Sequence, residues 1–255
     1  MQPEANPDTP SVDPAEVAHY TRLAERWWDP QGPFWPLHTL NRLRSAWIRD
    51  RLCQHLGRDA QAPRPLEGLS LLDIGCGGGL LSEAMARMGG RVHGVDATAD
   101  TIAVARRHAR NSGLDLTYEV GTAETLARRG ASYDVVLNME VVEHVADLPG
   151  FMAACSRLLR PGGYGFIATL NRTSASFIAG IIGAEYLLRW LPRGTHQWRR
   201  FRKPPELETL LARDGVRVVE ATGVRVNPFT RQMALGRSMA VNYMLMTHRP
   251  EGDTP

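Results

Sequence analysis

Two groups of residues in this 255-residue chain have types and spacings suited to chemistry. The first is a glycine-rich stretch, residues 72–80 (Leu-Asp-Ile-Gly-Cys-Gly-Gly-Gly-Leu), followed later by Asp96. The second combines Glu140, Glu143 and His144. Glycines permit sharp turns and close approach of a ligand to the backbone, whereas carboxylates and an imidazole can move a proton or hold a hard cation. Both groups follow short apolar runs, so strands must position them.

The glycine-rich stretch differs from the common nucleotide-binding motifs. A dinucleotide fingerprint would need glycine at position 80, which is Leu80, and a phosphate-binding loop would need a following Gly-Lys-Ser/Thr. Instead, Asp73 stands two residues before Gly75, where an acidic side chain suits a zwitterion that carries an ammonium and a sulfonium group. Asp96, 21 residues after Gly75, is placed to accept both hydroxyls of a ribose. The motif therefore predicts a nucleoside ligand that carries an ammonium and a sulfonium group.

The acidic pair in the middle of the chain predicts acid–base or metal chemistry. Glu140 and Glu143 are three residues apart and His144 is four from Glu140, so a helical turn would place all three on one face. Either His144 removes a proton from a substrate, or the three side chains hold a metal ion. Spacing alone also allows a solvated Glu143 and a His144 packed in the core.

Short apolar runs alternate with helical stretches from residue 69 onward, which predicts βα units around a parallel sheet. The predicted strands are 69–74, 91–95, 116–120, 133–137, 164–169, 216–221 and 242–247. The predicted helices of this region are 80–88, 99–112, 124–128, 148–159 and 205–212, with a turn at 160–163. No helix separates the last two strands, so the final strand is expected to be antiparallel. The predicted class is α/β: a Rossmann-like, seven-stranded, mostly parallel sheet with helices on both faces.

The remaining segments complete the predicted domain organisation. Residues 1–13 are expected to form a disordered tail, 14–57 an N-terminal helical cap, and 58–68 a linker. The ligand-binding domain then spans 69–250, with an apolar and basic insertion at 171–204. That insertion holds seven basic side chains and one acidic one, against 23 basic and 26 acidic residues elsewhere. The net charge of +3 therefore comes from the insertion.

Composition excludes several classes of protein. Hydrophobic residues at 43% and charged residues at 22% are typical of a globular domain. No apolar run reaches the roughly 18 residues of a membrane span, and the acidic, proline-rich start predicts neither a secretory signal nor a transit peptide. Three widely spaced cysteines argue against disulfides or a zinc site. We expect a cytoplasmic protein with no nucleic-acid partner, since the charge surplus is small.

The glycine-rich motif, Asp96 and the strand ends resemble the class I S-adenosylmethionine-dependent methyltransferases over residues 69–169. Further motifs are similar to the ubiquinone-biosynthesis O-methyltransferases. These are Arg26-Trp27-Trp28-Asp29, Pro36-Leu37-His38, Asn138-Met139-Glu140-Val141-Val142-Glu143-His144-Val145, Thr169-Leu170-Asn171-Arg172, Gly183-Ala184-Glu185-Tyr186, Gly194-Thr195-His196 and Val241-Asn242-Tyr243-Met244-Leu245. The resemblance therefore covers nearly the whole chain.

The resemblance implies a methyl donor, S-adenosylmethionine, and the residues that contact it. The implied donor-binding residues are Arg44, Gly75, Asp96 and Met139, to which the glycine-rich motif adds Asp73 and Gly77. Where the family has Asn-Pro-Leu-Arg, this chain has Asn41-Arg42-Leu43-Arg44. Arg44 is in register with the family's arginine, and Arg42 is expected to face solvent.

The resemblance also implies the acceptor and the reaction. Methyl groups would pass to phenolic hydroxyls of polyprenyl-hydroxyphenol and demethylubiquinol intermediates of ubiquinone biosynthesis. Similar enzymes are magnesium-dependent, which implies Mg²⁺ and makes Glu140, Glu143 and His144 the candidate catalytic residues and metal ligands. His38 and His196 either line the acceptor pocket or serve as structural hydrogen-bonding groups.

The insertion has two interpretations. It is either a lid helix packed on the core or an interfacial element, residues 174–203, that binds the anionic inner face of the cell membrane. The implied partners are a polyprenylated phenol or quinol, that membrane surface and other ubiquinone-biosynthesis proteins. Alternative functions are methylation of a different phenol, a catalytically silent scaffold, and a nicotinamide dehydrogenase, which Leu80 disfavours.

Overall fold

The computed structural model describes residues 26–32, 34–177, 198–227 and 229–251. Within them the strands are β1 (Ser70–Ile74), β2 (Arg91–Asp96), β3 (Thr117–Val120), β4 (Tyr133–Met139), β5 (Leu159–Leu170), β6 (Arg217–Val226), β7 (Met233–Gly236) and β8 (Asn242–His248). The helices are α1 (Trp35–Leu56), α2 (Leu80–Arg87), α3 (Ala99–Asn111), α4 (Ala123–Arg128), α5 (Leu148–Leu158) and α6 (Pro204–Arg213). Two single helical turns lie at Ser174–Ser176 and Trp198–Arg200.

The strands form one sheet in the order β3-β2-β1-β4-β5-β8-β6-β7. Strands β1 to β5 pair in parallel, whereas β8 runs antiparallel to both of its neighbours, β5 and β6. The predicted Rossmann-like architecture with an antiparallel final strand is confirmed. The predicted number of seven strands misses β7, since its four residues, Met-Ala-Leu-Gly, carry no strand-like alternation.

The predicted turn at 160–163 lies inside β5 as an irregular stretch. Gly162 has a φ of 76°, and the pairing of β5 with β4 shifts register between Tyr133 and Val135. Gly162 and Gly163 nevertheless exchange backbone hydrogen bonds with Arg249, at 2.7 and 3.0 Å. The four residues therefore form a bulge that continues the strand.

The hydrophobic core lies on both faces of the central strands. In β1, the adjacent Leu71 and Leu72 are fully buried and belong to different core clusters, as the two-residue period of a strand requires. Leu71 packs in a cluster with α1 and α2, and Leu72 in one with α5 and α6. This double burial explains why the strands read as continuous apolar runs.

Helix α1 carries the N-terminal part of the described chain onto the sheet. Pro36 lies in its first turn, and Gly57 ends it with a left-handed φ of 63°. Its buried stripe includes Arg44, Trp47 and Ile48, spaced three and four residues apart. The helix thereby holds one arginine against the interior of the protein.

Several predictions fall on residues outside the described ranges. They concern the tail at 1–13, the beginning of the helical cap at 14–25, and residues 178–197 of the insertion, which include His196. None of the helices that the structure describes combines the length and the hydropathy needed to cross a bilayer.

Candidate active site

Three adjacent strands end at the same edge of the sheet and bring together residues from distant parts of the sequence. The residues paired across β1, β2 and β4 near this edge are Ile74, Val95 and Asn138. The residues that follow them are Gly75, Asp96 and Met139. They therefore lie side by side at the carboxyl edge, where open α/β sheets bind their ligands.

The glycine-rich loop is held in a conformation that other residues rarely adopt. Gly75, Gly77 and Gly79 have φ values of 65°, 55° and 90°. The Asp96 carboxylate accepts hydrogen bonds from the backbone N–H groups of Gly77, at 3.1 Å, and Thr98, at 2.8 Å. Burial raises the pKa of Asp96, and these two donors oppose the rise. Asp96 thus fixes the loop to β2 and keeps further acceptor capacity for a ligand.

Asp73 and Arg44 are buried groups of opposite charge beside this loop, and the charge of each affects the pKa of the other. Asp73 accepts a hydrogen bond from Ser82 Oγ at 2.6 Å. Its burial raises the pKa of the carboxyl to about 6, although Ser82 and Arg44 pull it down. Arg44 is only 5% exposed, whereas Arg42 is exposed, so the expected orientation of the two arginines is confirmed. One carboxylate and one guanidinium can recognise the ammonium and carboxylate ends of an amino acid.

The N-terminal Trp27 and Trp28 cover the glycine-rich loop, a contact that sequence reasoning missed. A Cβ atom at Gly77 would lie 2.1 Å from Trp27 Cζ2, and one at Gly78 would lie 2.3 Å from the same indole. The Trp28 indole N–H donates to the Gly78 carbonyl at 2.8 Å. Gly77 and Gly78 lack a Cβ atom, and this allows the Trp27 indole to pack directly against the loop backbone. The sequence does contain a hint of this contact, because Trp27 and Trp28 belong to one of the family motifs. Their spacing does not reveal that they contact the glycine-rich loop.

The same segment is fastened to two neighbouring helices. The Trp28 ring stacks on His108 of α3 with centroids 3.4 Å apart and planes 3° apart. His38 of α1 lies with Nε2 3.0 Å from the Trp27 carbonyl. Of the two roles considered for His38, the structure supports the structural hydrogen bond.

The helical turn predicted for Glu140 to His144 is wrong. The Glu140 N–H donates to the carbonyl of Ala168 in β5 at 2.9 Å, so strand pairing continues where a helix was expected. Glu140 then has a left-handed φ of 59°. The His144 N–H donates to the carbonyl of Val141 at 2.8 Å and closes a tight turn, well before α5 begins. The spacing of the three side chains therefore does not place them on one helical face.

Glu143 is the buried member of this group. It is 4% exposed and accepts a hydrogen bond from Thr169 Oγ1, in β5, at 2.8 Å. Its charge raises the pKa of Arg44 and of Arg202 against the lowering effect of burial. The alternative of a solvated Glu143 is therefore excluded. His144 is half-buried at the end of the turn.

Tyr243 and Arg202 complete this corner; Tyr243 lies in one of the family motifs, but the sequence predicted a site role for neither residue. The Tyr243 hydroxyl donates to the Arg202 carbonyl at 2.9 Å, which ties β8 to the chain that returns from the insertion. Burial and the nearby Glu143 raise the pKa of Tyr243, so its phenol stays neutral. We define the acceptor corner as Glu143, His144, Thr169, Arg202 and Tyr243.

The structure does not assemble the predicted metal ligands. Among the residues that it describes, no three His, Cys, Asp or Glu side chains are grouped so that they could hold a metal ion. Glu143 instead binds Thr169 and lies near two arginines. The described side chains therefore do not fit a magnesium site with Glu140, Glu143 and His144 as its three ligands.

Comparisons with known proteins agree with this geometry. Residues 72–167 match the family model of a methyltransferase domain. Ubiquinone biosynthesis O-methyltransferases of Brucella anthropi and Sinorhizobium fredii are each 52% identical to this chain over 240 residues, covering 94% of it and 97% of each relative. The chain belongs to the ubiquinone biosynthesis O-methyltransferase family. It is an S-adenosylmethionine-dependent methyltransferase.

Solved structures share the fold of this ubiquinone biosynthesis O-methyltransferase family member at low sequence identity. The magnesium protoporphyrin IX methyltransferase of Synechocystis with bound SAH has a TM-score of 0.62 at 20% identity, over 91% of this chain and 94% of that one. An O-methyltransferase family protein of Burkholderia thailandensis has a TM-score of 0.60 at 15% identity, over 95% and 64%. At such identities the likeness shows the fold alone.

Proposed function

We propose that this enzyme transfers the methyl group of S-adenosylmethionine to phenolic hydroxyls of polyprenyl-hydroxyphenol and demethylubiquinol intermediates in ubiquinone biosynthesis. The relatives at 52% identity over 94% of the chain carry that proposal, because they bear the corresponding name. The geometry supports it with two groups of residues at one sheet edge: the proposed donor site, which we define as Arg44, Asp73, the glycine-rich loop 75–79 and Asp96, and the acceptor corner. The acceptor's identity rests on the family.

The donor site aligns a reagent that is already activated. Asp73 pairs with the donor's ammonium, Arg44 with its carboxylate and Asp96 with its ribose hydroxyls. A sulfonium releases a neutral thioether, which is a good leaving group, so the enzyme mainly has to orient the methyl group for in-line displacement. Trp27, packed on the glycine-rich loop, excludes water from one side of that loop.

The acceptor must lose a proton as it attacks. A phenol has a pKa of about 10 and is mostly protonated at neutral pH. In the proposed step, the His144 imidazole takes that proton while the phenolic oxygen bonds to the methyl carbon. The carbon–sulfur bond breaks, its electron pair stays on sulfur, and a neutral thioether leaves. The carboxylate of Glu143, which precedes His144 in the same turn, stabilises the imidazolium that forms.

Mg²⁺ enters the proposal only through the resemblance. A magnesium ion usually uses one or two carboxylates with several waters and substrate oxygens, and bound to a catechol it would favour the phenolate. Because the described side chains do not form the predicted three-ligand site, we assign no step to a metal.

A methyl-transfer assay tests the function directly. Labelled S-adenosylmethionine is incubated with short-tailed demethylubiquinol, with Mg²⁺ in one arm and EDTA in the other. We expect labelled ubiquinol. Turnover that EDTA abolishes would support a metal requirement. No product in either arm would contradict the proposal; intact binding of S-adenosylhomocysteine would then favour a silent scaffold, and faster turnover of an unrelated phenol would favour another acceptor.

We also propose that the insertion, residues 174–203, docks on an anionic membrane surface, because a polyprenylated substrate resides in the bilayer. At its described end, Arg199 and Lys203 are exposed, whereas Phe201 is fully buried. The Trp198 indole N–H donates to the Thr173 carbonyl at 2.9 Å. The two aromatic residues therefore anchor the segment, and the exposed cations are free to meet phosphates.

Vesicle flotation with a matched charge control tests this docking. The test variant is Arg199→Ser with Lys203→Ser, which spares the half-buried Arg202. The control, Arg213→Ser with Arg217→Ser, removes the same charge from exposed positions elsewhere. Loss of flotation with phosphatidylglycerol vesicles in the test variant alone supports the proposal. Equal flotation of both variants contradicts it.

A further inference from the structure

An open groove lies between helix α1 and the β6–β7 hairpin, outside the active site. Its volume is about 900 Å³, and three arginines line it: Arg42, Arg225 and Arg231. Leu43, Met233 and other apolar side chains form the rest of its wall. No acidic residue is present among the described residues that line it. The groove is therefore both apolar and cationic.

The tip of the hairpin presents an aromatic side chain to solvent. Phe229 is 94% exposed, and Val226 beside it is also exposed. The Asn227 carboxamide oxygen accepts hydrogen bonds from the N–H groups of Phe229, at 2.9 Å, and Thr230, at 3.2 Å. The Asn227 N–H donates to the Gln232 carbonyl, and the Asn227 carbonyl accepts from the Arg231 N–H, each at 2.9 Å. These hydrogen bonds hold the Phe229 backbone, while its ring and the Val226 side chain remain exposed beside the apolar wall of the groove.

The three arginines of the groove come from α1, from β6 and from the turn that follows β6. Arg231 lies over the ring of Trp35, the first residue of α1, at 4.8 Å from the centroid. Arg42 is one of the exposed positions of α1, and Arg225 comes from the end of β6. Cations from a helix and a hairpin therefore surround one groove, a pattern that complements a surface of negative charge.

The groove also lies on the same edge of the sheet as the active site. Strand β6 is parallel to β5, since both run antiparallel to β8. Its last residues pair only with β7 and lie past the carboxyl end of the sheet, where the Val224 N–H donates to Asn242 at the start of β8. A partner bound at the hairpin would face the edge at which Gly75 and Asp96 lie.

We propose that the described residues of the hairpin tip, 226–227 and 229–232, and the arginine-lined groove form a second docking surface for an anionic phospholipid bilayer, separate from the insertion. Phe229 enters the boundary between headgroups and acyl chains, and Arg42, Arg225 and Arg231 bind lipid phosphates. The partner is a lipid surface because cationic and aromatic groups are combined without acidic ones. The surface does not depend on the proposed methyl transfer.

Flotation with phosphatidylglycerol-containing vesicles tests the surface, with pure phosphatidylcholine vesicles as the neutral reference. We expect Phe229→Ser to weaken partitioning about tenfold, because burial of a phenyl ring is lost, and Arg225→Ser with Arg231→Ser to weaken it at least as much. The matched controls lie on or beside the same strand. Val219→Ser changes a residue that is 41% exposed, and Arg213→Ser with Arg217→Ser removes two exposed charges. Both should bind like wild type.

A fluorescent label reports insertion directly. The three native cysteines are buried, so Phe229→Cys offers a single accessible thiol for an environment-sensitive dye. A blue shift with phosphatidylglycerol vesicles supports the proposal, and no shift overturns it. Unchanged flotation of both hairpin variants also overturns it, and assigns membrane binding to the insertion alone. A third result would also overturn it: Phe229→Ser floats like wild type but forms a smaller oligomer. The partner of this surface would then be a second copy of the chain.

Failure of this surface is distinguishable from failure of the proposed reaction. Turnover of a short-tailed, water-dispersed acceptor should be unchanged in Phe229→Ser, because Phe229 lies outside both the donor site and the acceptor corner. With acceptor embedded in phosphatidylglycerol vesicles, turnover should fall about tenfold. A wild-type enzyme that binds vesicles through the hairpin yet methylates neither acceptor would contradict only the reaction.

Discussion

The donor site and the acceptor corner lie at the same edge of one sheet but are built from different kinds of contact. The donor loop is shaped first by its own backbone, because Gly75, Gly77 and Gly79 have left-handed φ values; Asp96 at the end of the next strand, 19 residues beyond Gly77, then accepts hydrogen bonds from Gly77 and Thr98. The acceptor corner joins Glu143 to Thr169 and Arg202 to Tyr243, which lie on elements far apart along the chain. The first depends on local conformation, and the second on tertiary packing.

This difference predicts different consequences for mutation. Changes in the donor site should weaken binding of the donor and leave chemistry intact once the donor is bound. Changes in the acceptor corner should lower kcat and leave donor affinity unchanged. Four experiments test this contrast, and they follow in order of decreasing expected effect.

The largest effect is expected at the acceptor corner. His144→Ala should lower kcat at least about 100-fold, because the proposed general base is lost, with an unchanged Kd for S-adenosylhomocysteine. Radiometric turnover and calorimetry measure the two quantities. As a control, His38→Ala removes another half-buried histidine that the structure assigns to a backbone contact. A kcat close to wild type in His144→Ala would remove this residue from the mechanism.

On the donor side, Asp96→Ala should have the largest effect on binding. The variant loses the acceptor of two backbone N–H groups and of the ribose hydroxyls, and charged hydrogen bonds contribute about 1.5–3 kcal/mol each. We expect the Kd for S-adenosylhomocysteine to rise about 100-fold or more in calorimetry. Asp100→Ala is the control, because Asp100 is an exposed acid in the first turn of α3. A large fall in kcat at saturating donor would contradict the separation of the two regions.

How much the sequence could predict follows the same division. The positions of Asp73, Gly75 and Asp96 were predictable, because a glycine pattern and two strand ends determine them locally. The orientation of Glu140 and Glu143 was not, because the hydrogen bond from Glu140 to β5 overrides the helical spacing. No local sequence pattern around Glu140 indicates that a carbonyl group of β5, 28 residues further along the chain, will accept its backbone hydrogen bond.

Two donor-side residues come from distant parts of the sequence: Arg44 from α1, and Trp27, which packs on the loop. Gly78 has no left-handed φ, and the three atoms nearest to a Cβ there all belong to Trp27. Gly78→Ala should therefore raise the Kd for S-adenosylhomocysteine about tenfold through overpacking. The same change in a Trp27→Ala background should cost much less, a coupling that a double-mutant cycle in calorimetry measures. Gly77→Ala provides a contrast: its φ of 55° should keep it impaired in both backgrounds.

Equal impairment by Gly78→Ala with and without Trp27 would show that the ligand, rather than the indole, requires this glycine. The donor site would then depend on local conformation alone. If Trp27→Ala restores the affinity that Gly78→Ala loses, part of the donor site depends on a tertiary contact, as the acceptor corner does.

The smallest expected effect is a pH dependence of donor binding that arises at Asp73. Burial raises its pKa to about 6 in the ligand-free protein, and the ammonium of the donor should lower the pKa in the complex. The ionised carboxylate therefore binds better, so affinity is full above about pH 7 and falls as pH decreases through 6. Between about pH 7.5 and 5 we expect the Kd for S-adenosylhomocysteine to rise about five- to tenfold.

Asp73→Asn separates this effect from other titrations. An amide is neutral at every pH, so the variant should bind weakly at pH 7.5 and lose the dependence near pH 6. Burial also raises the pKa of Asp96, so we assign any slope left in Asp73→Asn to that carboxylate. An undiminished slope in Asp73→Asn would mean that the buried acid positions Ser82 and the loop without meeting the ligand's charge.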